Sequence, residues 1–356
     1  MIAIKFLIGL DEQEKTQYLN NISEKKTLII DINDLSLETY GQNFLELKGN
    51  KLRKIKRELT SRVNSAIKEC SAPNVERNIS TIYVNLLNID RKMRAELFQD
   101  IKNIAQEKKL NISVEAILFI SPLSKVQKNL EDLLKNANYN FIKRNYINTE
   151  IPRAKVDCDY VSVVLKDRVK VVEQIEININ KNHDNVHHKE SLAQHRNMVL
   201  TEGETVINEV PEAFRSDFRQ ILRLHDSGKG LARIAVPEKR MSRAKRWYAD
   251  QFVQDKKYYQ YIGHQFIGAN LLIAECLPED GKYENLDSFI MDKAEIINQH
   301  MQAHIGFTPE YNEQFNLSDD MVKALMLLAH CDETGRVVDQ EQLDKYNSLI
   351  EESVQN

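Results

Sequence analysis

Four short runs of branched apolar residues, IAIKFLIG, TLIIDI, TIYVNLL and VEAILFIS, punctuate the first third of the chain, with amphipathic stretches between them. That alternation fits few folds other than a parallel sheet whose strands are joined by crossover helices. The Ile, Val and Leu content of the runs predicts burial on both faces, as in a sheet covered by helices on either side. From about Tyr160 the pattern changes to VSVVLKDRVKVVEQIEI, two alternating runs around Lys166-Asp167-Arg168, and predicts a β-hairpin over 157–182. Beyond His183 helical periodicity dominates, as in SLAQHRNMVLTEGETVI and YYQYIGHQFIGANLLIAECL, and predicts an all-helical second half. A chain of 356 residues suits two domains at about 100–200 residues each. The expected division is an α/β domain over 1–156, a connecting hairpin over 157–182 and an all-α domain over 183–356.

Charge narrows the function classes. With 49 basic against 53 acidic residues the formal net charge is -4, so no global field draws nucleic acid and any such contact must be local. The four cysteines, Cys70, Cys158, Cys276 and Cys331, are scattered without CxxC pairing, which argues against a zinc knuckle or disulfide framework and favours the cytoplasm. The opening MIAIKFLIGL lacks a cleavage site and runs straight into DEQEK, so it reads as a buried strand rather than a signal peptide, and no membrane partner is expected. Nothing in the sequence speaks to oligomeric state.

Eight of the nine histidines fall between His183 and His304. Taken singly, a helical histidine is most often an ordinary core or cap residue. Here the set is harder to dismiss: His195 in LAQHRNMV, His225-Asp226 ending FRQILRL, His264 in YIGHQFIGANL, His300 in EIINQHMQAH and Asp332 in MLLAHCDETG each interrupt or end an apolar helical stripe. An unpaired charge there is costly, and a shared metal resolves that cost.

Residues 187–336, through HHKESLAQH, ILRLHDSGKG, GHQFIGA, IINQHMQAH and LLAHCDETG, resemble an HD-domain metal-dependent phosphohydrolase. The resemblance implies His195, His225, Asp226 and Asp332 as the defining metal ligands, with His264 and His300 serving a second ion that Asp226 bridges. Imidazole and carboxylate without thiolate suit ions of intermediate hardness, Mn, Fe, Co, Ni or Mg. Gly228 permits a tight turn, and Lys229 either meets a phosphate oxygen or is a solvated helix-end lysine. His187 and His188 precede the helix start at Ser191, where one can touch substrate phosphate or both be exposed loop residues. His304 shares a helix face with His300 at the i, i+4 spacing and is a candidate substrate contact. Arg240, Arg243, Lys245, Arg246, Trp247 and Tyr248 form a basic, aromatic stretch that either lines a path for a polyanionic or base-bearing substrate or is a solvated helix.

Residues 9–16, GLDEQEKT, stand after a strand and before an amphipathic run, where a phosphate-cradling loop belongs. The pattern G-x-x-x-x-G-K-[ST] is met at Gly9, Lys15 and Thr16 but broken at Glu14, and Asp11, Glu12 and Glu14 put three carboxylates where phosphates would lie. Around this loop residues 1–150 resemble the polynucleotide-kinase branch of P-loop kinases, through FLIGLDEQEKT, LIIDINDLSLETYG, TIYVNLLNIDRKMRAEL and AILFISPLSKVQKNL. The resemblance places Asn33 at the catalytic aspartate, or Asp34 with an offset of one, and Ser36 at the substrate-binding arginine. Arg91 and Arg94 fit its pattern, while the lid segment LSKVQKNLEDLLKNAN holds no arginine. The expectation is a degenerate kinase-like α/β domain followed by an HD phosphohydrolase with two divalent ions. Its substrate would be a nucleotide or RNA-end phosphate, 2′,3′-cyclic or terminal. The alternatives are a phosphodiesterase of a small cyclic or signalling nucleotide and a catalytically silent nucleotide- or partner-binding protein.

Overall fold

Strand β1, Ile2–Ile8, lies at the centre of a sheet in which nearly every side chain is covered. The structure is a computed structural model that describes residues 1–22, 27–70, 80–133, 139–183, 188–236 and 258–337. β2 (Thr27–Asp31), β3 (Thr81–Leu87), β4 (Ile112–Ile120) and β5 (Tyr160–Leu165) run parallel to β1, and β8 (Gly281–Tyr283) joins antiparallel, in the order β2-β3-β1-β4-β5-β8. All seven residues of β3 are buried, whereas edge strand β2 leaves Ile29 half exposed. The unbroken apolar runs of the inner strands follow from helical cover on both faces.

The covering helices are α1 (Glu12–Asn20), α2 (Ile32–Tyr40), α3 (Gly49–Cys70), α4 (Arg91–Lys108), α5 (Leu123–Leu133) and α6 (Tyr139–Ile147). In α3 the buried residues Ile55, Leu59, Val63 and Ile67 recur every four positions, one stripe of a helix. Asp31 and Asp90 cap α2 and α4, accepting from the N–H groups of Asn33 and Met93. Arg91 and Arg94, which fit the kinase pattern, are both buried, and Arg91 donates to the Ile151 carbonyl at 2.8 Å. Arg94 is buried, with its Nε donating to Asp157 at 2.7 Å and its other nitrogens to the carbonyls of Ile89, Glu150 and Ile151.

The expected hairpin over 157–182 does not form. Its first run is β5, paired in parallel with β4; its second is α7, Arg168–Glu173, followed by a single 3-10 turn at Gln174–Glu176. The Asp280 carboxylate accepts from the N–H groups of Asp167 and Arg168 at 2.9 and 2.6 Å, satisfying donors that a helix start leaves open. Val171 and Ile175 then meet the core at helical spacing. The chain divides at 171/172, inside the segment expected to connect the two domains. One unit holds Met1–Val171, Ala274–Met291 and Gln314–Asn316; the other holds the described residues of Val172–Ile273, Asp292–Glu313 and Leu317–Asn356.

The second unit is mainly helical, with α8 (Leu192–Val206), α9 (Glu212–Arg215), α10 (Phe218–Leu224), α11 (Lys229–Ala232) and α15 (Asp319–Thr334). Helices α12 (His264–Cys276), α13 (Ser288–Ala303) and α14 (Pro309–Gln314) cross the division between the units. It is not all helix, because β6 (Ile234–Ala235) and β7 (Tyr259–Gln260) form a short antiparallel ladder. Among the described residues no helix is long and apolar enough to cross a membrane.

Candidate metal centre

Each side chain of the centre sits on a buried helix stripe or at the end of a helix anchored by one. In α8 the buried stripe is Leu192, His195, Val199, Gly203 and Val206, so His195 occupies a core position. Ser191 and Gln194 form a capping box that fixes the start of that helix. Buried Phe218, Ile221, Leu222 and Leu224 anchor α10, and its C-cap is His225, followed directly by Asp226. His264 opens α12 and His300 lies in the last turn of α13. Asp332 follows the buried stripe Met321, Ala324, Leu325, Leu328 and Cys331 of α15.

These residues form two groups that share Asp226: His195, His225, Asp226 and Asp332, and Asp226, His264 and His300, with the ligand atoms of each group within 4.8 Å of one another. His195 Nε2 is 2.9 Å from Asp332 Oδ1 and 3.2 Å from Asp226 Oδ2, while His225 Nε2 is 3.6 and 3.5 Å from the same oxygens. On the other side of Asp226, Oδ1 is 3.2 Å from His264 Nε2 and 3.7 Å from His300 Nε2. His195, His225, His264 and His300 are all buried.

The opposite ring nitrogens determine the tautomers. The Nδ1 atoms of His195, His225, His264 and His300 face the carbonyl oxygens of Gly335, Leu222, Tyr261 and Ile297 at 3.0, 2.7, 2.6 and 2.7 Å. A carbonyl only accepts, so each Nδ1 carries hydrogen and, in the neutral ring, each Nε2 presents a lone pair to the centre. His195 Nε2, His225 Nε2, Asp226 Oδ2 and Asp332 Oδ1 are shut off from solvent, yet none has an aligned hydrogen bond. Of these four, Asp226 Oδ2 has the Lys229 ammonium against it; burying the other three with their lone pairs converging is costly, and a divalent cation at their focus removes that cost. The residues therefore fit such an ion, or two.

The electrostatics agree with that chemistry. Burial would raise the Asp226 carboxyl, but Lys229 and His225 outweigh it and hold the group well below the usual carboxylate range. Burial is likewise outweighed at Asp332, by His195, His225 and His304. His300 is pushed down to about 3 by burial and by the neighbouring His264 and His225, so it is a neutral donor at pH 7. Burial works to lower His195 too, but Asp226 and Asp332 prevail and hold it well above the ordinary imidazole value.

Lys229 is buried with Nζ against Asp226 Oδ2, not a solvated helix-end lysine. Gly228 has φ −69°, so it does not supply a left-handed turn; a Cβ there would lie 2.0 Å from the carbonyl oxygen of His264, and glycine is needed for close approach. His304 stands past the end of α13, exposed, with Nε2 3.0 Å from Asp332 Oδ2 and Nδ1 3.4 Å from Glu333 Oε1. His188 is buried, with Nδ1 2.7 Å from Glu190 Oε1. His187 and the stretch with Arg240, Arg243, Lys245, Arg246, Trp247 and Tyr248 lie outside the described residues. Sequence reasoning missed His183 and Glu190, both buried and adjoining His188. Glu190 directly precedes the Ser191 cap and so reads as an ordinary acid at a helix start.

In the first unit Gly9 adopts φ +124° immediately after β1, as a cradle loop requires, but the loop's cation is spent internally. Lys15 is buried, with Nζ 2.9 Å from Glu12 Oε1 and 2.7 Å from Asn85 Oδ1. Lys125 pairs with Glu14 at 2.5 Å, and Asn129 donates to Asp11 at 2.9 Å. Thr16 Oγ1 donates to the Glu12 carbonyl, Asn33 Oδ1 accepts from the Phe44 N–H, and Ser36 Oγ donates to the Gln42 carbonyl. The adjoining cleft, of about 1050 Å³, is lined by Glu12, Thr16, Asp31, Asp34, Lys125 and Lys128 among others. No protein-family model matches the chain, and no curated protein is detectably similar to it in sequence.

Proposed function

We propose that the protein is an HD-type, metal-dependent phosphohydrolase that acts on a nucleotide or RNA-end phosphate, 2′,3′-cyclic or terminal. One observation carries the reading: ligand-type Nε2 and carboxylate atoms converge in two groups that share Asp226, and those of the first group have no aligned hydrogen bond. His195, His225, Asp226 and Asp332 would hold one divalent ion and Asp226, His264 and His300 a second. Two such ions, of the series Mn, Fe, Co, Ni or Mg, would supply Lewis acidity to a phosphate and lower the pKa of a bound water. Asp226 keeps the two sites at a fixed separation, and the backbone carbonyls behind each ring keep the lone pairs aimed inward. Lys229, against the bridging carboxylate, is close enough to offer its charge to a phosphate oxygen.

The nucleotide class rests on the company of the first unit, read as a degenerate polynucleotide-kinase-like P-loop domain. Its loop opens at the carboxyl end of β1, where the sheet order reverses and ligands bind in such sheets. The clamping of Lys15 by Glu12 and of Glu14 by Lys125 supports loss of phosphoryl transfer. The test is a screen of purified protein loaded with Mn, Ni or Mg against generic phosphodiesters, cyclic mono- and dinucleotides and RNA ending in a 2′,3′-cyclic phosphate. Turnover of the RNA end supports the reading, turnover of a cyclic dinucleotide alone moves the substrate to signalling nucleotides, and no turnover with any ion overturns it.

A further inference from the structure

A third cluster of ligand-type atoms lies beside the first two: His183, His188 and Glu190, all buried. It does not suit an ion. The His183 and His188 rings are stacked, with centroids 4.2 Å apart and planes 18° apart. Ring lone pairs lie in the ring plane, so two nearly parallel rings aim their nitrogens side by side instead of at one focus. Glu190 is also fully engaged: Oε1 faces His188 Nδ1 at 2.7 Å and His195 Nδ1 at 3.3 Å, and Oε2 accepts from the N–H groups of Lys189 and Val337 at 3.0 and 3.1 Å.

We propose that Glu190 is a positioning residue for the metal centre, a buried carboxylate behind His195 that fixes the direction and basicity of this ligand and ties it to His188 and to the chain that follows Asp332. The proposal rests on the two-ion reading above. Its first support is chemical: Nδ1 of His195 has an acceptor on each side, the Gly335 carbonyl and Glu190, so its hydrogen stays there and Nε2 is left to bind the ion. A carboxylate behind a ligating imidazole makes the metal-facing nitrogen a stronger donor, which a carbonyl does only weakly. Its second support is mechanical. Val337 follows the helix that carries Asp332, and its N–H is held by the same carboxylate that holds His195, so one anion keeps two ligands of one ion in register. His183 completes the arrangement by donating from Nδ1 to the Glu190 carbonyl at 3.0 Å.

The test compares the wild type with Glu190→Gln and Glu190→Asp in the full chain, titrated with Co²⁺ by calorimetry and by the visible absorption of the bound ion, with the folding of each metal-free protein checked by circular dichroism. Glu190→Gln keeps the shape but removes the charge, and should weaken one of the two ions by roughly 10–100-fold while leaving the other unchanged. Glu190→Asp should recover part of that loss. Should Glu190→Gln not fold, Glu190→Asp decides the point, since it keeps the charge but draws it back from His195: one ion weakened with the other unchanged supports the proposal, and both ions bound as in the wild type overturns it. Wild type that takes up two ions alongside an unaltered Glu190→Gln overturns the role of Glu190 alone. Wild type that binds no Co²⁺ overturns the two-ion reading and this proposal with it.

Discussion

His264 and His300 point their Nε2 atoms at each other across 3.1 Å, and each has its Nδ1 committed to a backbone carbonyl. Two lone pairs facing at that distance repel unless a proton or cation lies between them. Adding ions should therefore fill both groups. Elemental analysis of protein purified without chelator and reloaded with Mn or Ni should give two ions per chain. His264→Ala should reduce this to one, and Asp226→Ala, which removes the shared ligand, should reduce it to none; an Asp226→Ala protein that keeps two ions contradicts the bridging role.

The metal-free protein should lose stability as pH falls from about 6.5. Burial holds His188 down to about 4 and His300 down to about 3, whereas both titrate at the ordinary value of about 6.5 once unfolded. The sign follows directly: a lowered folded-state value means that the unfolded chain binds more protons through this window, so the contribution is present above pH 6.5 and is lost as pH falls toward 4. The two rings together give a slope of roughly 2.7 kcal/mol per pH unit near pH 5. His183, also lowered by burial, adds in the same direction. The denaturation midpoint in urea, measured at pH 5 and pH 7, should be clearly higher at pH 7.

Asp226→Asn should abolish phosphohydrolase activity while Lys15→Ala leaves it nearly intact. Asparagine keeps the shape of the bridge but removes the charge that holds two cations together, and a loss of about 4 kcal/mol of transition-state stabilisation is about a thousandfold in rate. Lys15 is bound to Glu12 and Asn85 and has little phosphate binding to lose. Neither variant nor the wild type should phosphorylate an RNA 5′ end from ATP; phosphorylation that vanishes in Lys15→Ala would mean that Glu12 releases the lysine to nucleotide.

Gly228→Ala should act on the second ion from a position that bears no ligand. The added methyl would press on the carbonyl and backbone of His264, which cannot yield without moving that ligand. Overpacking of this kind costs about 1–3 kcal/mol. Calorimetric titration should show the ion at His264 and His300 weakened more than the ion at His195 and His225.

Strands β1, β3 and β4 were legible because burial on both faces leaves an uninterrupted apolar run, and edge strand β2 because its Leu28-Ile29-Ile30 run is apolar even where Ile29 is exposed. The fifth was legible as a strand but not in its pairing: residues on either side of Lys166-Asp167-Arg168 alternate as a hairpin would, and what caps a helix start there is the Asp280 carboxylate, far away in sequence. β8, only three residues, has no apolar signature to read. The side chains that the structure brings around Asp226 stood out because each breaks an apolar stripe. Glu190 did not, since an acid before a capping serine looks like local helix chemistry until the fold puts His195 and Val337 against it. Arg94 misled in the opposite sense, because a motif position says nothing about whether the guanidinium faces a substrate or a buried Asp157.

The late arrival of β8 has a consequence for biosynthesis. During translation the open edge of β5 at Val163–Leu165 waits for Gly281–Tyr283, which cover it antiparallel, while the polypeptide in between is still being made. At about 5–20 residues per second that wait is on the order of ten seconds. For its duration a nascent chain carries an unpaired, apolar strand edge, the kind of surface on which chains stick to one another. The ribosome-bound intermediate is thus a stage at which that edge is open to pairing with another chain.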